Sequence, residues 1–382
     1  MVSVAHNVVQ HADLLVVLVV LSTIAYVASR KFIPSAMGSL FGRGLYGIDI
    51  NKTTVEQRKR FGEIKRSGGH FDDDDGLKRL VVPESLGIVV GAVYLSVVLF
   101  GLLYVGCPPA KANAALCTIA LMLLLGFVDD VLDLRWRHKI VLSALATVPL
   151  LLSYDGVTSV VIPVPLRPLL LPYVGGSVVD LHLFYLVYIG LICIFCTNSI
   201  NILAGVNGVE VGQSIVIGVA GMVHNLMHID QPSHRMSLAL LAPFVGVSIA
   251  LYTFNKYPSR VFVGDSYTYF AGMTLAVASV SGTYTKTAML FFAPQIINFV
   301  LSIPQLLRII PCPRHRVPTW NRERDVLENS RNGTILNALL LVFGPMHERR
   351  LTQVMLLFQV VCCAAAFLVR YPLAALVYET VQ

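Results

Sequence analysis

The sequence predicts an all-α polytopic membrane protein with about ten transmembrane helices. Of its 382 residues, 55% are hydrophobic and only 13% are charged, and the mean hydropathy of +0.71 lies far above that of a soluble domain. Several apolar stretches approach the roughly 20 residues that a helix needs to cross the hydrocarbon core. The polar residues gather at the edges of these stretches, which predicts an active site in loops and helix ends on one aqueous face.

Ten apolar segments are predicted to span the membrane. Their limits are 14–33, 86–105, 113–128, 140–154, 183–200, 209–228, 238–254, 261–281, 287–309 and 353–371. The third and fourth are short as given and are expected either to be tilted partners or to extend past these limits. Residues 335–343 are too short to cross, so we expect that piece at the interface or in a re-entrant position. Residues 1–13 lack the pattern of a cleaved signal peptide, so the first segment is expected to remain as an anchor. With no visible repeat or soluble domain, residues 1–382 are treated as one membrane domain.

Lysine and arginine are distributed unequally around these segments. The loops and helix ends that follow the first, third, seventh and ninth segments hold 24 of the 29 basic residues. Because basic loops stay cytoplasmic, both termini are predicted on the opposite, lumenal side, and the polar motifs on the cytoplasmic side. The net charge of +7 is interpreted as this loop bias, with attraction to anionic lipid or substrate, rather than as nucleic-acid binding.

The first polar motif ends the third segment. Asp129 and Asp130 follow Gly126, and Asp133 would share their face if the helix continued. Basic residues up to Lys139 come next. This pattern fits an acidic, metal-facing or proton-accepting site beside a phosphate-binding cation, or a charged helix end that extends into water.

Two further motifs place amides and an acid at segment ends. Asn198 and Asn201 share a helix face, and Gly205 lets the backbone approach a flat or charged ligand, although such amides also pack membrane helices together. Asp265 lies within the first two turns of an apolar segment, where an acid usually has a functional partner.

A basic motif between prolines, Arg314-His315-Arg316, is suited to a phosphate group or to a lipid headgroup. Transfer of a phosphoryl group requires several negative charges to be neutralised in a small volume. An aspartate and an asparagine carbonyl are ligands that Mg²⁺ accepts, and arginines bind phosphate in a bidentate manner. The four motifs together therefore favour phosphoryl-transfer chemistry.

Several stretches also resemble a known family. Residues 127–139, 195–210, 258–272 and 294–316 are similar to the eukaryotic UDP-N-acetylglucosamine:dolichyl-phosphate N-acetylglucosamine-1-phosphotransferases, the tunicamycin-sensitive enzymes that open the lipid-linked oligosaccharide pathway. These belong to the polyprenyl-phosphate N-acetylhexosamine-1-phosphate transferase superfamily. The similarity runs from Asp49-Ile-Asn-Lys52 through Pro83-Glu84-Ser85 to His347-Glu348-Arg349, which is nearly the whole chain.

The resemblance implies Mg²⁺ as the cofactor, UDP-N-acetylglucosamine and dolichyl phosphate as substrates, and no nucleic-acid partner. It implies the following roles: Asn201 and Asp265 as metal ligands; Asp129, Asp130, Lys139 and Asp265 in catalysis; Gly205 and Asn207 in the uridine pocket; Arg314, His315 and Arg316 at the sugar and pyrophosphate; and Glu84, Trp136 and Asn198 elsewhere in the substrate site.

The expected reaction is attack of dolichyl phosphate on the β-phosphorus of the nucleotide sugar, with release of UMP. A nucleotide-sugar transporter is the alternative, which the one-sided cluster and the absence of repeats disfavour. A scaffold without catalysis would have no use for the paired acids and amides. The resemblance also implies the endoplasmic-reticulum membrane as the location and is compatible with a homodimer.

Residues 53–82 are predicted to be a flexible cytoplasmic insertion outside the site, and residues 310–350 a cytoplasmic loop that recognises substrate. The four aspartates 72–75 are interpreted as a solvated run rather than a metal site. Cys193 and Cys196 are interpreted as buried thiols. Two glycosylation sequons, at Asn51 and Asn332, look accessible but lie in loops assigned to the cytoplasm.

Overall fold

The computed structural model describes residues 11–67, 75–78, 80–313, 316–376 and 378, and these confirm the all-α membrane architecture. The helices are α1 (Ala12–Phe41), α2 (Val55–Ser67), α3 (Asp75–Lys78), α4 (Gly87–Tyr104), α5 (Pro109–Leu132), α6 (Trp136–Leu152), α7 (Arg167–Val174), α8 (Leu183–Ile202), α9 (Val209–Met227), α10 (Pro232–Asn255), α11 (Gly264–Ser281), α12 (Thr285–Phe291), α13 (Ala293–Leu306), α14 (Ile335–Phe343) and α15 (Glu348–Leu368).

Three short antiparallel strand pairs lie in the segments between helices. They pair β1 (Tyr46–Ile48) with β2 (Val81–Pro83), β3 (Ser159–Val161) with β4 (Val178–Asp180), and β5 (Thr319–Asn321) with β6 (Val326–Glu328). In the first, Tyr46 lies opposite Pro83 and Ile48 opposite Val81. This hairpin joins the end of α1 to the start of α4.

The predicted count of ten spans is not confirmed. In the described part of the chain, seven helices are long and apolar enough to cross a membrane, or eight if α12 and α13, which meet at an angle of 68°, form one broken span. Helix α6 has 17 residues and remains short, as expected, whereas α5 extends to 24 residues and is not short. Residues 335–343 do form a separate helix, α14, of nine residues.

Helix α11 lies at the buried centre of the bundle. Its own residues are not apolar enough for it to count among these spans. Every residue from Ser266 to Val280 is buried. Polar side chains of α11 can therefore form hydrogen bonds with neighbouring helices. For example, the hydroxyl of Tyr267 donates to Ser248 Oγ on α10 at 2.9 Å.

Glycines allow α11 to approach its neighbours very closely. A Cβ atom on Gly126 of α5 would lie 2.5 Å from the carbonyl oxygen of Asp265, and one on Gly272 would lie 2.4 Å from Cα of Thr197 on α8. Small residues at such crossings let membrane helices pack backbone against backbone. This packing fixes the position of α11 relative to α5 and α8, which carry other residues of the site.

The expectation that Asp133 shares a helix face with Asp129 and Asp130 is wrong. Helix α5 ends at Leu132, and Asp133 adopts a left-handed conformation with φ of +49°. The Asp129 side chain helps to form this turn, since its Oδ1 accepts a hydrogen bond from the backbone N–H of Leu134 at 3.0 Å. The chain must turn here to begin α6, so the helix cannot continue.

Candidate active site

The site is formed where four helix ends meet. Asp129 lies near the end of α5, Lys139 in the first turn of α6, Asn201 near the end of α8 and Asp265 in the first turn of α11. These residues were predicted to lie on one face of the membrane, and the structure brings their side chains into direct contact.

Lys139 is held between two aspartates. Its Nζ lies 2.6 Å from Oδ2 of Asp129 and 3.4 Å from Oδ2 of Asp265. The Asp129 side chain is only 1% exposed, whereas that of Asp265 is 30% exposed and faces a cavity. Tyr269 also donates its hydroxyl to Oδ2 of Asp129, at 3.3 Å. Asp129 therefore anchors the lysine, and Asp265 is the more accessible carboxylate.

Asp130 accepts hydrogen bonds from the N-terminus of α11. Its Oδ1 accepts from the backbone N–H of Asp265 at 2.6 Å, and its Oδ2 accepts from that of Ser266 at 3.2 Å. A carboxylate at this position satisfies free N–H groups and interacts favourably with the helix dipole. Gly264, with φ of +74°, makes the contact possible, because a Cβ there would lie 2.3 Å from Asp130 Oδ2. Asp130 therefore positions Asp265.

Asn201 contacts the other side of Asp265. Its Nδ2 donates to Asp265 Oδ1 at 2.5 Å and to Thr268 Oγ1 at 3.0 Å. The Asp265 carboxylate is thus contacted by an amide and by an ammonium group. The three aspartates of this cluster outnumber its one lysine, so the cluster carries excess negative charge and favours a further cation.

A cavity of about 780 Å³ opens beside this cluster. Its wall includes Asn201, Thr268 and Asp265 together with the segment 47–51. This volume lies within the range of roughly 300–1,000 Å³ that small-molecule sites occupy.

A second polar network forms the wall around Asn207. Asn207 donates its Nδ2 to Asp49 Oδ2 at 3.0 Å, and its backbone N–H to Glu348 Oε1 at 2.8 Å. Asn51 joins the network by donating Nδ2 to the carbonyl of Gly205 at 2.7 Å. Gly205 has φ of +112°, a conformation that favours glycine. The network fixes the backbone of residues 205–207 along the cavity.

Glu84 also lines the cavity, as the resemblance implied. Burial raises the pKa of this carboxyl, and the nearby charge of Asp130 acts in the same direction, while Lys65 lowers it. Glu84 precedes α4 and therefore lies at the edge of the membrane domain.

Other predicted residues are not brought into the cavity. Trp136 is 68% exposed, and Asn198 donates its amide to the carbonyl of Ile194 on its own helix at 2.8 Å. Arg314 and His315, like Asp72 to Asp74 of the acidic run, lie outside the described residues. Arg316 is described, and its Nη1 is buried with no hydrogen-bond partner within the described part of the chain.

Sequence reasoning missed several residues of the cavity wall. Arg58 and Lys65, from the insertion that we had left outside the site, both line it. Two acids were noticed only as ends of the family similarity: Asp49, which lines the cavity, and Glu348, which binds Asn207. Acids in polar loops carry no signal of their own. The sequon at Asn51 is not accessible, because this residue is 5% exposed and bound to Gly205, so that expectation is wrong. The expectation of buried thiols at Cys193 and Cys196 is confirmed.

Comparison with known proteins agrees with this geometry. A family model described as glycosyl transferase family 4 matches residues 112–283, which include Asp129, Lys139, Asn201 and Asp265. A relative from Leishmania amazonensis is 44% identical over 99% of this chain and 97% of its own length. One from Dictyostelium discoideum is 44% identical over 89% of this chain and 85% of its own, and one from Saccharomyces cerevisiae is 33% identical over 92% and 90%.

All three relatives carry the same name, which describes a transferase, and the transporter alternative gains no support from them. Their similarity extends over nearly the whole chain, including the four helix ends that form the site. The chain therefore belongs to the family of UDP-N-acetylglucosamine–dolichyl-phosphate N-acetylglucosaminephosphotransferases.

Proposed function

We propose that this chain transfers N-acetylglucosamine 1-phosphate from UDP-N-acetylglucosamine to dolichyl phosphate, releasing UMP. The observation that carries this proposal is the cluster of Asp129, Lys139, Asn201 and Asp265 at one side of a cavity large enough for a nucleotide sugar. Relatives named for this activity match the chain almost from end to end. A transporter would need a site near the middle of the membrane rather than at helix ends.

The donor set around Asp265 fits Mg²⁺. Asp265 and Asn201 offer carboxylate and amide oxygens, which this hard cation prefers, and the excess negative charge of the cluster requires a counter-charge. Asn201 points Nδ2 at Asp265, so a ligand role for its Oδ1 requires the amide to turn over about its terminal bond. When bound, Mg²⁺ would neutralise the charge that develops on the phosphate oxygens.

The other side chains of the cluster have separate roles in binding phosphate and in positioning Asp265. Lys139 can bind a phosphate oxygen from its position beside Asp265, while Asp129 holds its ammonium group in place. Asp130 acts through its hydrogen bonds to α11, which set the orientation of Asp265. This gives Asp130 a positioning role beyond the catalytic one predicted from the resemblance.

The far wall of the cavity suits the uridine of the donor. Asn207 and Gly205 are fixed by Asp49, Asn51 and Glu348, so this segment offers a preorganised surface on which a planar base can pack. Arg316, whose buried Nη1 has no hydrogen-bond partner among the described residues, has capacity to bind a phosphate or sugar oxygen.

The membrane architecture supports a proposal for the acceptor and the cellular setting. A phosphate on a polyprenyl chain lies at the membrane surface, where the helix ends that form the site also meet. We propose that this surface is the cytoplasmic face of the endoplasmic-reticulum membrane, that both termini are lumenal, and that the protein is able to form a homodimer. The unequal distribution of basic residues supports the orientation.

The test is transfer of radiolabel from UDP-N-acetylglucosamine into butanol-extractable lipid by the purified protein. We expect label in the lipid only when dolichyl phosphate and Mg²⁺ are both present. Transport of intact nucleotide sugar into sealed vesicles without lipid labelling would contradict the proposal.

A further inference from the structure

Helix α2, part of the insertion between Lys52 and Pro83, is docked against the protein body. Thr54 and Gln57 begin the helix with reciprocal bonds, of 2.9 Å from the Thr54 N–H to Gln57 Oε1 and 3.3 Å from the Gln57 N–H to Thr54 Oγ1. Phe61 and Ile64 pack on a small apolar cluster with Leu77.

The end of α2 is fixed by a further contact. Nζ of Lys65 donates to the carbonyl of Tyr46 at 2.7 Å and lies 5.1 Å from the centre of the Tyr46 ring. Since Tyr46 belongs to β1, this contact attaches the helix to the hairpin that leads into the cavity wall. Helix α2 therefore has a defined position beside the site.

One face of α2 lines the substrate cavity. Arg58, Phe61, Gly62 and Lys65 all contribute to its wall, and their spacing of three, four and seven residues places them on one side of the helix. Asp265 and Asn207 line the same cavity. The charged helix that the sequence presents as a solvated insertion thus faces the proposed donor site.

Arg58 is well placed to bind an anion. Among the described residues that line the cavity, the cationic side chains are Arg58 and Lys65, and Lys65 is engaged with Tyr46. Arg58 uses Nε to bind the carbonyl of Thr54 at 3.3 Å, and within the described part of the chain its two terminal nitrogens make no hydrogen bond. A guanidinium with two free terminal nitrogens is suited to a phosphate group.

We propose that Arg58 binds a phosphate oxygen of the nucleoside diphosphate sugar, and that α2 is a substrate-binding element of this chain. This inference rests on the proposed function. The cavity also carries the carboxylates of Asp49, Glu84 and Glu210, so a dianionic ligand needs cationic groups on the remaining wall. Arg58 supplies such a group without withdrawing one from the cluster around Lys139.

The experiment measures binding of UDP and of uridine to the purified full-length protein by calorimetry. The variants are Arg58→Gln, Arg58→Lys and the control Lys59→Gln, which removes a charge from an exposed position on the same helix. Arg58→Gln should weaken UDP binding by about tenfold or more and leave uridine binding within about twofold, because only UDP carries phosphate. Arg58→Lys should fall between Arg58→Gln and the parent, and Lys59→Gln should match the parent.

The following results would overturn the inference. An equal loss for UDP and uridine would show that Arg58 only maintains the shape of the cavity, and an equal loss in Lys59→Gln would show a general effect of net charge. Unchanged UDP binding in both Arg58 variants would remove Arg58 from the site. If Arg58→Gln does not fold, as judged by thermal melting, the ratio of UDP to uridine affinity in Arg58→Lys decides the question. A parent protein that fails to bind UDP would instead contradict the proposed function.

Discussion

Replacing Gly264 by alanine should inactivate the protein by displacing Asp265. The new Cβ would lie 2.3 Å from Asp130 Oδ2, whereas ordinary contacts begin at 3.4 Å, so the carboxylate or the helix start must move by about 1 Å. Such a movement breaks the 2.6 Å hydrogen bond from the Asp265 N–H to Asp130. A shift of roughly 1 Å in a catalytic group can lower the rate by about 100-fold.

The free energy of unfolding should also fall. The left-handed backbone at Gly264 costs an alanine about 1–2 kcal/mol, and the loss of a hydrogen bond to a charged group costs about 1.5–3 kcal/mol more. Gly44→Ala is the matched control. Gly44 has φ of +80°, but a Cβ there would have no atom within 4 Å, so the control carries the backbone strain without the collision.

The assay is lipid labelling by both variants, with thermal melting of each in detergent. We expect Gly44→Ala to keep near-normal activity and to lose only the stability attributable to backbone strain. We expect Gly264→Ala to lose about two orders of magnitude in rate. Equal activity in the two variants would refute the argument that Asp130 positions Asp265 through the start of α11.

Three other predictions follow from the site and the membrane orientation. Arg316→Lys should raise the KM for UDP-N-acetylglucosamine in steady-state assays, because an ammonium group cannot replace the guanidinium fork; an unchanged KM would exclude bidentate binding there. Glu84→Gln should melt at a higher temperature than the parent at neutral pH and lose this advantage towards pH 4, because a raised pKa in the folded state penalises folding at every pH where the carboxyl is ionised in the unfolded state; a pH-independent difference would argue against this. Asn332 should stay unglycosylated in a eukaryotic host, and a mass loss on N-glycosidase treatment traced to this residue would place the site in the lumen. Asn51 gives no information on orientation, because its amide is buried against Gly205.

The sequence predicted the membrane fold and the residues at its centre because both depend on local patterns. Apolar length locates the helices, and polar residues at their ends stand out against a hydrophobic background. Asp129, Lys139, Asn201 and Asp265 could therefore be selected before their contacts were known. The segment that forms helix α11 was predicted as an apolar span, 261–281, whereas the helix itself is not among those apolar enough to count as a span.

The remaining features depend on contacts between distant parts of the chain. The bond from the Asp265 N–H to Asp130 joins residues 135 positions apart, and nothing in either motif indicates it. The docking of α2 depends on Tyr46 and Leu77, whereas its sequence alone has the charge pattern of a solvated helix. The turn at Asp133 was missed because a run of acids gives no signal for the end of a helix.

The central claim is that the cluster around Asp265 carries out the transfer. The most direct test compares acceptor-dependent UMP release by the parent, by Asp265→Asn and by the control Asp155→Asn, which changes an exposed aspartate paired with Lys111 away from the site. We expect the parent and the control to release UMP only with dolichyl phosphate, and Asp265→Asn to be slower by about 100-fold or more while it still melts cooperatively. Near-parental release by a folded Asp265→Asn protein would contradict the account.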